Sequence, residues 1–373
     1  MNKKIFIITG EASGESHTVQ LIRQIKLIKT DIELSAIGGD LLKNEGVDIL
    51  QNYNEINFTG FSSVIKNLLK LNKSIKHTVE YIRKVNPDII ILVDFPGYNL
   101  KIAEKIRNFY NGKIIYYISP QIWAWHKSRI KTIKKTIDKM LVVFPFETEF
   151  YKKEGVEAEF TGHPLKNKIV DFLKLNTKNI STIPVISLLP GSRLEEIKRI
   201  LPALLETTKK FGDNIKINLI CSNNIDLNIY KKYINSYKVN LISHFEDEKI
   251  KFKTIQDSDL IFTKSGTSTL ECALIGTPCC VVYNTTWFNY FIGKMFITIE
   301  YFSIINILRG KKVVNELIQK DFTTGKLYEE GIKILNDENY RNTMLNEFKH
   351  LKEDLFFSEK EKSAAEIICK FIK

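Results

Sequence analysis

A chain of 373 residues is longer than one core comfortably fills, so two domains are expected. Hydrophobic residues make up 44% and charged residues 26%, a globular balance that excludes a disordered chain and a membrane-spanning bundle. The formal net charge of +12 suits nucleic acid, an anionic membrane surface or phosphorylated substrates, or reflects a general richness in Lys, Asn and Ile.

At the start, MNKKIFIITGEASG carries two lysines and an apolar run that stops at Gly10 without a small-residue cleavage pattern. It reads as a first strand and not a signal peptide. In chain order, strands are predicted at KIFIITG, ELSAIGG, DIIILVD, KIIYYIS, KMLVVF and EAEFTG. After an irregular stretch from Lys166 to Thr182 they resume at PVISLLPG, KINLICS, VNLISH, DLIFTKSG and PCCVVYN. Apolar strands alternating with helical periodicity predict parallel sheets covered on both faces. The pattern runs down near Gly162-His163-Pro164 and restarts near Pro184, so two doubly wound Rossmann-like domains are expected: 1–165, 166–345, and a helical segment over 346–373. The most apolar region, Trp287 to Leu308, holds Asn289, Lys294 and Glu300 and makes a poor spanning helix. Cys221, Cys272, Cys279, Cys280 and Cys369 show neither CxxC nor zinc spacing, and are expected as buried thiols in a reducing, cytoplasmic compartment.

In such sheets ligands sit beyond the carboxyl ends of the strands, so the residues there carry the functional reading. TGEASGES (Thr9 to Ser16) lets a backbone bend tightly beside a ligand, but lacks the spacing of a dinucleotide or Walker loop. In DIIILVDFPGYN, Asp94 follows a buried strand directly; it suits a general base, or an Asp hydrogen-bonding its own turn. SPQIWAWHKSR crowds Trp123 and Trp125 beside several cations, as an interface, a sugar platform or simply core. LLPGSRLEEIKR hands Ser192 and Arg193 to a helix start, which fits either a phosphate cradle or an ordinary cap. FTKSGTSTLE repeats that logic with Ser265, Gly266, Thr267 and Thr269, and Glu271 one turn on can accept both hydroxyls of a ribose. Two such loops in one domain point to a nucleotide diphosphate. Asp257-Ser258-Asp259 has the spacing of a metal-holding acidic pair, yet it precedes its strand and is expected only to turn the chain. No metal and no cofactor are expected. Nor is nucleic acid expected, since no helix-turn-helix, RNP or zinc pattern occurs. His163 stands at the domain junction, within reach of a cleft.

Taken together, GEASG, DFPGYN, YYISPQIWAW, FPFETEFY, FTGHPL, LLPGSRLEEI and SGTSTLE, followed by INILRGKKVVNELIQ, resemble the lipid A disaccharide synthases. The resemblance implies a GT-B fold, two facing Rossmann-like domains with a cleft between them. It further implies inverting transfer from UDP-2,3-diacylglucosamine to 2,3-diacylglucosamine 1-phosphate (lipid X), giving a β(1→6) disaccharide and UDP. By motif position Asp94 is the essential carboxylate. Ser192, Arg193 and Glu196 fall in the diphosphate loop, and Ser265, Gly266, Thr267, Thr269 and Glu271 in the nucleotide loop. Ser13, Gly14, Asn99, Ser119, Gln121, Trp123, His163, Asn306, Asn315 and Glu316 are the expected substrate contacts. Glu15-Ser16 stands where the family usually has Asp after Gly14, so no critical acid role is assigned there. Acylated substrates imply a peripheral protein on the inner face of the inner membrane. Phe58 to His77, apolar with Lys66, Lys70, Lys73 and Lys76 between, suits a helix lying in an anionic interface, or an ordinary surface helix. The rival readings are another UDP-GlcNAc enzyme of the same fold, a lipid-linked GlcNAc transferase or a 2-epimerase, and a non-catalytic nucleotide-sugar-binding module. Oligomeric state is left open.

Overall fold

Strands that are apolar along their whole length need cover on both faces, and the chain supplies it with helices after nearly every strand. In a computed structural model that describes residues 2–56, 67–124, 127–244, 247–287, 290, 300–356 and 362–372, the chain forms two compact units.

The first unit holds a seven-stranded, wholly parallel sheet: β1 (Lys3–Thr9), β2 (Ile32–Gly38), β3 (Asp48–Asn52), β4 (Ile89–Val93), β5 (Lys113–Tyr117), β6 (Lys139–Val142) and β7 (Ala158–Phe160), in the order β3-β2-β1-β4-β5-β6-β7. The order reverses between β1 and β4, and Thr9 pairs with Val93 in register, so the loops that follow these two strands emerge side by side. A switch point of this kind is where doubly wound sheets bind ligands. All five residues of β4 are buried. The last helix, Ala364–Phe371, also belongs to this unit and packs on the helix Ala12–Ile28.

The second unit begins at Leu165 and carries a six-stranded parallel sheet. Its strands are β8 (Val185–Leu189), β9 (Lys216–Ile220), β10 (Asn240–Ile242), β11 (Leu260–Lys264), β12 (Cys279–Tyr283) and β13 (Glu316–Ile318), ordered β10-β9-β8-β11-β12-β13. Its reversal lies between β8 and β11. Leu189 pairs with Thr263 and Lys264 with Val282, which sets the Pro190–Arg193 loop beside the Lys264–Thr267 loop.

Every strand predicted from the apolar runs forms; β3 and β13 are additional. All five cysteines are buried and free, as expected. Among the described residues no helix is long and apolar enough to cross a membrane.

Candidate active site

At the switch point of the first unit the backbone turns sharply. Asp94 (φ +45) and Phe95 (φ +46) both adopt the left-handed conformation, which costs a side-chain-bearing residue about 1–3 kcal/mol and persists only where neighbours enforce it. Here they do. The Tyr116 hydroxyl donates to the Asp94 carbonyl at 2.5 Å, and Asn99 Nδ2 donates to the same oxygen at 2.7 Å and to Val93 O at 3.2 Å. Asn99 is fully buried, so it acts here as a brace beneath Asp94. The Phe95 ring lies over Gly10, where any Cβ would collide with it. Ser13 is half-buried and donates to Glu11 Oε1 at 2.8 Å, while Gly14 is buried against Thr9.

Glu15 is a structural acid. Its buried carboxylate accepts the N–H groups of Gly39 (2.8 Å) and Leu42 (3.0 Å) and so fixes the turn after β2. Burial raises its pKa against those bonds.

After β5, Ile118 (φ +59) repeats the left-handed turn and delivers Ser119 inward. Ser119 Oγ (2.7 Å) and Trp123 Nε1 (3.0 Å) both donate to Glu147 Oε1, and Phe144 N–H donates to Glu147 Oε2 at 3.1 Å. Glu147 is 1% exposed, and burial pushes its pKa up to about 7 despite these donors. Reading the sequence did not single Glu147 out; the available signal was a Glu three residues after Phe144 at a helix start, the position of a capping acid. Gln121 is exposed. Trp125 lies outside the described residues. His163, after β7, is buried beside Phe144 and His17, with ring centroids 5.3 and 6.2 Å away. Burial lowers its pKa to about 3, so it is a neutral imidazole.

In the second unit the PGSR loop closes on Glu196. Ser192 N–H donates to Glu196 Oε2 at 3.0 Å, while Lys264 Nζ (2.9 Å) and Arg193 Nη1 (3.4 Å) meet Oε1. Lys264, the last residue of β11, was passed over in the sequence in favour of the small residues after it. Ser265 is engaged internally, its N–H on Val282 O and its hydroxyl on Phe302 O, each at 3.0 Å. Gly266 and Thr267 are exposed at the first turn of the helix Thr267–Ile275, and Thr269 is buried with its hydroxyl on Lys264 O at 3.3 Å. Glu271, 3% exposed, is paired with Lys251 Nζ at 2.5 Å.

The late polar stretch is a brace. Asn306 uses both ends of its amide, accepting from Val313 and Val314 N–H and donating to Val314 O and Glu316 Oε1. Glu316 also accepts Phe302 N–H (2.9 Å) and Ser303 N–H (2.7 Å), which ties the loop that receives the Ser265 hydroxyl to β13. Asn315 donates to Glu330 at 2.8 Å. Asp257 and Asp259 stand at the amino end of β11, occupied by Lys253 and Asn179 and by Lys178 and Val185 N–H respectively. They turn the chain and hold its loops together.

Residues 5–368 match the family model described as lipid-A-disaccharide synthetase. A lipid-A-disaccharide synthase 1 of Legionella pneumophila is 34% identical over 98% of this chain and 96% of its own length. Among solved structures, the glycotransferase of kitacinnamycin superposes with a TM-score of 0.65 at 11% identity, covering 100% of both chains. The UDP-GlcNAc 2-epimerase from Neisseria meningitidis bound to UDP-GlcNAc gives 0.63 at 13%, covering 100% of this chain and 99% of that one. At such identities the two structures speak for the fold, which is that of the GT-B glycosyltransferases.

Proposed function

The chain belongs to the lipid-A-disaccharide synthetase family, and on that premise we propose how its residues carry the reaction. The protein is a UDP-sugar glycosyltransferase that forms the lipid A disaccharide. In the proposed step the donor is UDP-2,3-diacylglucosamine and the acceptor 2,3-diacylglucosamine 1-phosphate. Asp94 takes the proton of the acceptor's 6-hydroxyl as that oxygen bonds to C1 of the donor. The bond from C1 to the phosphate oxygen breaks on the opposite face, UDP leaves with the bonding pair, and the new linkage is β(1→6). The transition state carries positive charge at C1 and negative charge on the departing diphosphate. Arg193 and the exposed helix start at Thr267 would receive the second charge. Asn99, Tyr116 and Glu147 would hold Asp94, Ser119 and Trp123 in place for the acceptor.

The observation that carries this reading is the enforced left-handed backbone at Asp94, with its carbonyl clamped by Tyr116 and Asn99. Strain of that kind needs an over-determined surrounding, and it falls on the one residue the motif marks as the base. Acylated substrates would bring the protein to a membrane leaflet as a peripheral protein. Supporting this, Leu68 (44%) and Leu69 (86%) are exposed on the same helix as Lys70, Lys73 and Lys76. The test is direct: the purified protein is given both substrates, and product mass and released UDP are measured. One UDP per disaccharide 1-phosphate is expected. Epimerised sugar from UDP-GlcNAc alone, with no disaccharide from the acylated pair, would overturn the reading in favour of an epimerase.

A further inference from the structure

Glu196 puts a negative charge into a loop read as the seat of a diphosphate, and the geometry suggests why. Its carboxylate occupies the point on which three donors converge: a backbone N–H (Ser192), a guanidinium (Arg193) and an ammonium (Lys264). That is the donor set with which proteins bind a phosphate oxygen. An ordinary capping acid at the third helical position reaches back to the N–H of the residue just before the helix. The helix here is Leu194–Lys209, so that residue is Arg193; Glu196 instead reaches one residue further, to Ser192, and engages a cation from a different strand. Gly191 (φ +125) has no side chain, and a Cβ there would run into Glu196 Oε2, so the loop is closed tightly around the acid. Although burial works against its charge, Lys264 and then Arg193 hold the carboxyl below its ordinary pKa. It is therefore an anion when nucleotide arrives.

We propose that Glu196 is an internal stand-in for a nucleotide phosphate: the diphosphate binds by displacing this carboxylate from Ser192, Arg193 and Lys264, and Lys264 is a further nucleotide-binding residue. The proposal rests on reading this loop as the diphosphate site. Binding is then net of breaking the internal contacts, which weakens the hold on UDP and favours release of the product.

The test is calorimetric titration of the full chain with UDP, inorganic pyrophosphate and uridine. Parent, Glu196→Gln, Lys264→Met and the double variant are compared, with an unfolding scan of each to show that it is folded. Glu196→Gln keeps the size and removes the charge. It should tighten UDP and pyrophosphate roughly tenfold and leave uridine unchanged. Lys264→Met should weaken UDP, and more so in the Glu196→Gln background, where no internal pair has to be broken first. Glu196→Asp, whose shorter arm loses reach, should tighten UDP to a smaller degree and serves where the Gln variant does not fold. If the parent binds UDP and the Glu196 variants bind it equally or more weakly, Glu196 merely orients the cations, and the stand-in is overturned while the function reading stands. If pyrophosphate binds and tightens but UDP does not bind, the stand-in holds and the nucleotide reading falls. Binding of neither ligand to any variant overturns both.

Discussion

Asp94→Asn retains the volume at the end of β4 and the backbone carbonyl that Tyr116 and Asn99 clamp, and removes only the charge. Turnover should fall ~10²-fold or more, with UDP affinity unchanged, as read by initial rates beside a UDP titration. A variant of near-parental rate would reject Asp94 as the base. Glu147 gives a pH signature. Burial raises its pKa from 4.5 to about 7, so the folded protein keeps a proton that the unfolded chain releases. The stability this contributes is full below pH 4.5 and is lost as pH rises through about 7, up to roughly 3 kcal/mol in all. His163 acts in the opposite sense: burial lowers it from 6.5 to about 3, so its share is full above 6.5 and is lost as pH falls towards 3. Between 4.5 and 6.5 the two slopes oppose each other. Glu147→Gln keeps an acceptor for Ser119 and Trp123 and removes one slope. Its urea midpoint should therefore climb more steeply than the parent's from pH 4.5 to 6.5, and an unchanged profile would contradict the buried-acid account. The residues that directly follow an apolar run, such as Asp94, Ser192 and Ser265, were legible in the sequence because a strand end is a sequence signal. Lys264 and Glu147 were not. A Lys closing a strand and a Glu opening a helix take their meaning from the loop of a neighbouring strand, which no periodicity reports.

Most of the strands found from the sequence share a physical reason: the inner ones lie in sheets covered on both sides and so read as apolar runs, while β7 and β10 are short edge strands that are only partly apolar. The two additional strands, β3 and β13, each lie at one edge of their sheet, as β7 and β10 do at the other. DILQN is exposed or half-buried throughout, and ELI is three residues long with its Glu committed to Asn306 and the Phe302–Ser303 backbone. An edge strand needs no continuous apolar run, and in these two the signal is absent. The helix Leu68–Val85 takes in most of the described part of the segment expected at a membrane interface, Phe58 to His77; Phe61, Val64 and Lys66 lie outside the described residues. It buries Leu71, Ser74, Ile75, Thr78 and Ile82 and turns Leu68, Leu69, Lys70, Lys73 and Lys76 outward. Two forces with different salt dependence follow. Apolar burial contributes about 25 cal/mol per Å² and ignores salt, whereas each lysine near an anionic surface adds about 1 kcal/mol that salt screens. Leu68→Ser with Leu69→Ser should weaken vesicle binding at every ionic strength. Lys70→Gln with Lys73→Gln and Lys76→Gln should weaken it chiefly at low salt and only on anionic vesicles. Sedimentation with vesicles of both compositions separates the two, and parental binding by both variants would reduce this to an ordinary surface helix.

At the scale of the molecule, the helix Ala364–Phe371 returns the chain to the first unit after it has passed through the second. Ser363 opens the last helix with a reciprocal cap, its N–H donating to Glu366 at 2.8 Å and its Oγ accepting Glu366 N–H at 3.2 Å. The helix then buries Ala365, Ile367, Ile368 and Cys369 in the first unit, where it packs on Ala12–Ile28, the helix that starts in the Gly10 loop. Periodicity in the sequence announces that such a helix has a buried face, but not against what it is buried; pairing across some 350 residues of chain is a tertiary fact. The contact joins two segments far apart in sequence within the first unit. Ile368 is 0% exposed, so Ile368→Ala should cost about 2–5 kcal/mol, while Lys370→Ala on the exposed side of the same helix should stay within about 0.5 kcal/mol. UDP tells the units apart, because a ligand raises only the transition of the unit that binds it. Heating with and without UDP identifies the nucleotide-binding unit as the transition that moves. Ile368→Ala should lower the other transition, and with it turnover, through the loop that borders Asp94, leaving UDP affinity at the parental value. Loss of the UDP-responsive transition instead would mean that the final helix supports the nucleotide-binding unit.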